Sequence, residues 1–294
     1  MKKLKSNLLL VLTAVIWGFA FVAQRVGSDH VDAFTFNGLR FTLGAASLIP
    51  VFLIFEKTET ESALHKVKMQ KTVLAGIAAG IMLFSASTLQ QIGIELNHDA
   101  GKTGFITALY TVLVPIFGIF LGKKAGLNAW IGVLFAVVGI FLLSVTGDFR
   151  IEKGDFIVLI GSLFWAFHIL VIDRFVDSIY AVRFASVQFF FCALMSLVCM
   201  LIFETPEISG IKGALVPILY GGIGSVGVAY TCQILGQKDA DPTSASIILS
   251  TESLFSAVGG ALILHEVMTA RGYVGCVLIF VGIIISQVNF GKKA

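Results

Sequence analysis

The chain has 294 residues, of which 57% are hydrophobic and 13% carry a charge, and its formal net charge is +3. Soluble domains carry about 25% charged residues, so this composition excludes an ordinary soluble protein. Apolar runs of about 20 residues are long enough to cross a hydrocarbon core of about 30 Å. The sequence therefore predicts an integral membrane protein.

Ten apolar runs of this length follow one another along the chain with short connections. The longest connection, residues 56–70, is charged and polar. No stretch is left for a soluble catalytic domain, so we expect an all-α integral membrane protein built as one membrane domain. The ten predicted transmembrane helices span residues 7–27, 32–55, 71–92, 100–121, 126–146, 155–175, 179–203, 213–236, 243–264 and 270–289.

The first run could be misread as a signal peptide, because lysines precede it at positions 2, 3 and 5. A cleavage site requires small residues at positions −3 and −1, and Phe21 before Ala23 breaks the best match. The apolar stretch is also longer than a signal peptide needs. We expect an uncleaved first helix.

The basic residues predict the orientation, because they favour cytoplasmic loops. An N-terminus inside the cell places fourteen of them on the inner side and six on the outer side. We therefore expect a multi-pass protein of the plasma membrane with both termini in the cytoplasm. The net charge is mostly this orientation signal, so no nucleic-acid partner is expected. The outer set is Arg25, Lys102, Arg150, Lys153, Lys212 and Arg271.

The second half of the chain repeats the first. Because five helices per half is an odd number, the second copy must enter the membrane from the opposite side. We expect two inverted five-helix repeats, residues 1–147 and 148–294. The matches are Trp17-Gly18-Phe19 with Trp165-Ala166-Phe167 at a shift of 148, Asp99-Ala100 with Asp239-Ala240 at 140, and Gly132 and Gly139 with Gly275 and Gly282 at 143.

Inverted repeats are a recurring design of transporters that alternate access to a site near the midplane of the bilayer. Two other functions stay open on the residues alone. A passive metabolite channel can also arise by duplication. A membrane-embedded enzyme acting on a lipid or prenyl substrate would need a catalytic pair or metal cluster at one face, and none is evident in the sequence.

Several short motifs together resemble the EamA-type family of the drug/metabolite transporter superfamily. They are the tryptophans of the first and sixth helices, Arg40-Phe41, the run Ser250 to Phe255, and His265-Glu266. The resemblance covers the whole chain. It implies a ten-helix carrier with a central cavity that moves amino acids, amines, nucleoside-like metabolites or drugs. The family often has proline where this chain has Ser253, which puts a kink there in doubt.

Glu252 lies near the middle of the apolar run from Ala245 to Leu264. An ionisable group at that depth costs about 2.5–3.5 kcal/mol on insertion scales. The first repeat has only valine or leucine at the equivalent positions 112–114, so the scaffold itself does not require a carboxylate. We expect Glu252 to bind substrate or carry a coupling proton; the alternatives are a buried partner for Arg40 or a packing hydrogen bond.

His168, Trp17 and Trp165 are further candidates within the predicted helices. Histidine titrates near neutral pH, which suits proton coupling, although a hydrogen-bonded packing role fits equally well. Tryptophan prefers the headgroup belts, whereas both of these lie in mid-helix. A buried indole needs a partner for its N–H, so they are expected to line a cavity or, alternatively, to pack in the core.

Arg40 lies about eight residues inside the second predicted helix, and its repeat equivalent is Gln188. Its side chain could snorkel outward, bind a substrate carboxylate, pair with Glu252 or serve a structural or gating role. Gln188, Tyr110 and Tyr230 are expected to complete the site. Weaker candidates are Thr111, Gln233, Ser250 and Thr251.

No cofactor or metal is expected. The run from Ala100 to Thr103 ends like a phosphate-binding loop, but Leu96 occupies the position where that motif requires its first glycine. His265-Glu266 begins like a zinc protease helix but lacks the second histidine. We expect a small-molecule substrate, with protons as one option for the coupling ion; substrate identity, direction and oligomeric state stay open. The four cysteines lack metal-site spacing and are expected to pack in the helices: Cys192, Cys199, Cys232 and Cys276.

Overall fold

A computed structural model describes residues 2–51, 63–97, 100–145, 152–263 and 269–287. These residues form helices and turns without any β-strand, which confirms the all-α class. The helices are α1 (Lys2–Gly27), α2 (Ala33–Ser47), α3 (Ala63–Asn97), α4 (Ala100–Ala108), α5 (Tyr110–Phe120), α6 (Leu127–Ser144), α7 (Lys153–Phe175), α8 (Ala181–Phe203), α9 (Ile208–Gly213), α10 (Leu215–Leu219), a π-helix (Tyr220–Tyr230), α11 (Thr231–Gln237), α12 (Pro242–Leu249), α13 (Glu252–Ile263) and α14 (Ala270–Gln287).

Within the described residues, seven helical stretches are long and apolar enough to cross a membrane. Two shorter apolar helices, Leu127–Leu143 and Ala270–Ser286, accompany them. The expected number of ten spans therefore stays a prediction. The seven stretches are Lys2–Gly27, Val67–Asn97, Lys102–Phe120, Lys153–Ser178, Ala181–Phe203, Leu215–Gln237 and Pro242–Ile263.

The polar connection expected at residues 56–70 is partly helical. Helix α3 begins at Ala63, eight residues before the predicted start. The residues from 63 to 71 contain neither glycine nor proline and are mostly good helix formers, so the helix extends beyond its apolar run. Hydrophobicity located the part of this helix that can lie in lipid and missed the rest.

Two runs expected to be continuous helices are each broken near the middle. The first is interrupted at Leu109, between α4 and α5, and the second at residues 250–251, between α12 and α13. At each break a backbone hydrogen bond reaches back three residues instead of four. Leu109 N donates to Ile106 O and Thr251 N to Ile248 O, both at 3.2 Å. The second break occurs although the family's proline is absent. Thr251 Oγ1 also donates to the carbonyl of Ile248, and such bonding back onto the helix bends it.

A third expected helix contains the π-helical segment from Tyr220 to Tyr230. Three of the four glycines in this segment, Gly221, Gly222 and Gly227, let its backbone approach α2 closely. A Cβ placed on Gly222 would lie 2.6 Å from Cβ of Leu43, and one on Gly221 would lie 3.3 Å from Cδ of Arg40. Segments with π-type bonding occur frequently at functional sites, and this one ends at Tyr230.

Helices α6 and α14 cross with their backbones in contact through four glycines. A Cβ on Gly132 would lie 2.8 Å from the carbonyl oxygen of Gly282, and one on Gly282 would lie 2.7 Å from that of Gly132. Gly139 and Gly275 are related in the same reciprocal way, at 2.6 and 2.5 Å. Because the earlier residue of α6 meets the later residue of α14, the two helices run antiparallel.

The N-terminus of α2 is capped by a residue from the other half of the chain. Glu204, which follows α8, accepts hydrogen bonds from the backbone N–H groups of Phe34 and Thr35 and from Thr35 Oγ1, all at 2.7 Å. The residue in the N-cap position, Asp32, makes no side-chain capping bond. The carboxylate of Glu204 thus satisfies donors that a helix start leaves unpaired.

We expect Gly139→Ala to lower the free energy of unfolding by about 1–3 kcal/mol, the usual cost of overpacking. The added methyl group would collide with the backbone of α14. Gly118→Ala is the matched control, because a Cβ there meets its nearest neighbour at 3.5 Å. Thermal unfolding of both variants in detergent tests this; equal melting temperatures would contradict the close glycine contact.

Candidate functional site

A small cavity lies where the broken helices meet α1, α2, α3, α7 and the π-helical segment. Its volume is about 30 Å³, room for about two water molecules. Six of the eight predicted site residues line it: Trp17, Arg40, Tyr110, Trp165, Tyr230 and Glu252. The wall is completed by Ala20, Phe21, Gln24, Gln90, Thr107, Ile169, Ser225 and Gln233.

Glu252 and Tyr110 face each other across the two helix breaks. Each is the first residue of the second half of its broken helix, and Tyr110 Oη donates to Glu252 Oε1 at 3.0 Å. A carboxylate in the first turn of a helix is favoured by the helix dipole. In many transporters, discontinuous helices of this kind form the sites for substrate and coupling ion.

Arg40 is 2% exposed and lies in the cavity wall. Its Nε donates to Asn37 Oδ1 at 2.8 Å, and its guanidinium lies 5.6 and 4.9 Å from the ring centroids of Phe36 and Phe41. Among the described residues no carboxylate lies within 4 Å of it, so the pairing with Glu252 considered from the sequence is not formed. A buried charge without a counter-ion is costly, and an anionic ligand group in the cavity would offset that cost.

Three aromatic rings form one wall of the cavity. The ring centroids of Trp17 and Trp165 each lie near that of Tyr230, at 4.6 and 6.2 Å. Both indoles find hydrogen-bond acceptors: Trp17 Nε1 donates to Ser225 O at 3.4 Å and Trp165 Nε1 to Gln90 Oε1 at 3.0 Å. The mid-helix tryptophans therefore face the cavity with their N–H groups satisfied.

His168 and Gln188 lie behind this wall and do not line the cavity. Both are fully buried, and His168 Nε2 pairs with Gln188 Oε1 at 3.0 Å. The imidazole packs edge-on against Tyr230, with 6.0 Å between ring centroids. The imidazole also packs edge-on against Trp165 at 6.0 Å, so any influence of these two residues on a ligand would act through the positions of Tyr230 and Trp165.

Sequence reasoning missed four polar residues of the wall: Gln24, Gln90, Thr107 and Ser225. The available signal was their polarity within apolar helices, which is weaker than that of a charge. Thr107 Oγ1, and Oε1 of the weaker candidate Gln233, are buried without a hydrogen-bond partner in the described part of the chain. A ligand or water in the cavity would satisfy both.

The other weak candidates serve the helices rather than the cavity. Ser250 Oγ donates to Ile247 O and Thr251 Oγ1 to Ile248 O, while Thr111 Oγ1 lies 3.4 Å from Ser246 Oγ. The motif at residues 265–266 lies outside the described residues. Taken together, the wall presents one carboxyl group, one guanidinium group, an aromatic face and unsatisfied neutral polar atoms. Such a set can bind a small polar molecule that carries both charges.

The family model described as the EamA-like transporter family matches residues 4–145 and again residues 152–287. An uncharacterized transporter of Archaeoglobus fulgidus is 27% identical over 97% of this chain and 86% of its own length. The uncharacterized transporter YoaV of Bacillus subtilis is 23% identical over 98% of this chain and 99% of its own length. A probable amino-acid metabolite efflux pump of Salmonella typhimurium is 24% identical over 55% of this chain and 51% of its own length.

A solved crystal structure has the same fold, with a TM-score of 0.79 over 96% of this chain and 98% of that one, at 19% identity. The relatives are transporters by name, which implies a small-molecule substrate, and the several apolar helices make this a multi-pass membrane protein. The resemblance drawn from the sequence is confirmed. Because the family model spans nearly the whole chain in its two matches, the protein belongs to the EamA-like transporter family.

Proposed function

We propose that the protein is a secondary-active transporter that moves a small metabolite, an amino acid, amine or related compound, across the cytoplasmic membrane by alternating access. The observation that carries this proposal is the small cavity at the two helix breaks, with Glu252 and Arg40 both in its wall. The substrate that fits both groups is a zwitterion such as an amino acid.

Glu252 and Arg40 would bind opposite ends of such a ligand. The Glu252 carboxyl accepts a bond from Tyr110 and retains acceptor capacity for an ammonium group. Arg40 has one bond, to Asn37, and a guanidinium can bind a carboxylate through further N–H donors. The name of the Salmonella relative, a probable amino-acid metabolite efflux pump, agrees with this ligand class.

Two observations support ten helices in two inverted repeats, residues 1–147 and 148–294. The glycine contacts between α6 and α14 are reciprocal, as a two-fold axis between equivalent antiparallel helices would require. The family model also matches the chain twice, once in each proposed half. The distribution of basic residues supports cytoplasmic termini.

The size of the cavity supports alternating access. Space for about two water molecules cannot admit an amino acid, so binding requires the helices around the cavity to separate. Glu252 is a suitable coupling group, because a carboxyl group can exchange a bound ammonium ion for a proton. The Tyr110 hydroxyl can donate to the carboxyl in either protonation state.

We expect phenylalanine to stabilise the purified protein more than phenethylamine or 3-phenylpropanoate, each of which lacks one charged end. A ligand at 100 times its dissociation constant adds about 2.7 kcal/mol, which a thermal-shift assay detects. Glu252→Gln and Arg40→Gln should each remove the effect, whereas Glu95→Gln, a carboxyl outside the cavity wall, should keep it. If no amino acid in a panel of twenty stabilises the protein, or if Glu252→Gln binds and transports like the parent, the proposed site is wrong.

We expect Tyr110→Phe to lower the free energy of unfolding by an amount that grows as pH rises. Hydrogen bonds to an ionised carboxylate are stronger than those to a neutral group, so the lost bond matters more once Glu252 has released its proton. Tyr220→Phe is the control, since Tyr220 Oη donates to the neutral carbonyl of Ile16 at 2.9 Å. Unfolding of both variants across pH 5 to 9 provides the comparison. A pH-independent loss in Tyr110→Phe would argue against Glu252 as a proton carrier.

A further inference from the structure

We infer that the contact between α3 and α7, here called the closing seam, is the gate that separates the cavity from the extracellular side. This rests on the proposed function for the alternation of access and for which side is outside. The closing seam runs from the cavity wall to the C-terminal end of α3 and the N-terminal end of α7. Two sets of polar contacts hold it, one at each end.

The first set lies in the cavity wall and joins three helices. Trp165 Nε1 of α7 donates to Gln90 Oε1 of α3 at 3.0 Å. Gln90 Nε2 then donates to Gln24 Oε1 of α1 at 3.1 Å. Gln90 is 5% exposed and uses both its oxygen and its nitrogen in this chain. It therefore joins α7 to α1 through α3 at the cavity.

The second set lies at the far end of the closing seam. Asp155 of α7 accepts a hydrogen bond from Asn97 Nδ2 of α3 at 2.8 Å, and it forms an ion pair with Lys102 Nζ of α4 at 2.6 Å. The Asp155 side chain is only 4% exposed. Ten residues of α7 separate it from Trp165, about 15 Å along the helix axis. The closing seam is thus fixed at two separated points.

Between these two points the helices touch closely. A Cβ on Gly161 of α7 would lie 3.2 Å from Cβ of Leu89, and one on Gly93 of α3 would lie 3.3 Å from the carbonyl oxygen of Gly154. The surface between the cavity and the end of the helices is therefore packed. A ligand cannot leave this way unless both sets of polar contacts separate.

The repeat-related contact, between α1 and the stretch from Leu215 to Gln237, is built differently. Asp155 corresponds to Asn7 and Lys102 to Pro242 at the shifts of 148 and 140, so the ion pair has no equivalent there. Gly93 packs on Val158 as Gly236 packs on Leu10, which makes Gln233 the equivalent of Gln90. Gln233 Oε1 has no hydrogen-bond partner among the described residues, and Trp17 Nε1 donates instead to Ser225 O. The scaffold is duplicated, whereas the chemistry that closes its two sides is not.

The test measures access to the cavity without any ligand. Ala20 lies in the cavity wall and is 2% exposed, so Ala20→Cys reports on its opening. Labelling by a membrane-impermeant methanethiosulfonate is followed in right-side-out and inverted vesicles. The parent chain with its four cysteines supplies the baseline. Because no substrate is needed, a failed ligand panel would leave this measurement intact.

In this reporter, Gln90→Leu should raise labelling from the extracellular side about tenfold, equivalent to about 1.4 kcal/mol, with no change from the cytoplasmic side. Trp165→Phe removes only the bond to Gln90 and leaves the one between Gln90 and Gln24, so it should raise extracellular labelling by a smaller factor, and the double variant should equal Gln90→Leu. Trp165→Phe therefore still tests the gate if Gln90→Leu does not fold. Gln237→Leu is the matched control, a buried glutamine that donates to Ile169 O outside the closing seam.

Unchanged labelling in both Gln90→Leu and Trp165→Phe would overturn the gate. An equal rise from both sides, or the same rise in Gln237→Leu, would show general loosening and would overturn it as well. A rise from the cytoplasmic side alone would contradict the extracellular assignment. Additive effects in the double variant would show that the two residues do not act through one bond.

Discussion

Hydrocarbon offers no hydrogen bonds, so each backbone N–H and C=O inside a membrane must find its partner within the protein. This constraint explains why the described residues are helical. It also explains where helices can stop. The breaks at Leu109 and at residues 250–251 lie beside the cavity, since irregular backbone at that depth is tolerated only where it is buried or lines a cavity. The need to satisfy backbone N–H and C=O groups inside the membrane thus explains why the breaks lie beside the cavity.

Hydrophobicity alone predicted the class and the approximate positions of the helices, because membrane-spanning runs differ so strongly from soluble segments. It could not predict the breaks. An uninterrupted apolar run gives no sign of the point at which Thr251 bonds back to Ile248, and the expected proline marker was missing. Nor does hydrophobicity limit a helix that continues into water, as α3 does at its start. Both errors arise where side-chain bonding or helix propensity, rather than lipid solubility, decides the outcome.

The candidate site was predictable to the extent that its members were costly to bury. Glu252 and Arg40 were identifiable because a charge inside an apolar run needs a reason. Their mutual arrangement was not, since pairing depends on how α2 and α13 are placed by every other contact. The amides Gln24 and Gln90 were missed for a related reason. A glutamine costs less to bury, and its importance comes from joining three helices, which a linear sequence does not display.

The polar contacts differ more between the two halves of the chain than the packing does. Close glycine packing between α6 and α14 is reciprocal, with equivalent contacts made from both helices. The polar residues do not follow this reciprocity. Glu252 occurs in one half, and the ion pair of Asp155 with Lys102 has no counterpart in the other. Under the proposed alternating access, these unequal contacts would give the two sides of the membrane different resistance to opening.

Glu204 has a consequence for how far the two halves of the chain depend on each other. Its carboxylate closes the first turn of α2 with three hydrogen bonds, although the two elements belong to different halves. If the chain were cut between the halves, one fragment would carry open donors and the other the carboxylate that fits them. Neither fragment alone completes that helix end, and the two ends match each other. Two fragments produced separately should therefore be less stable alone than when they are coexpressed and reassemble.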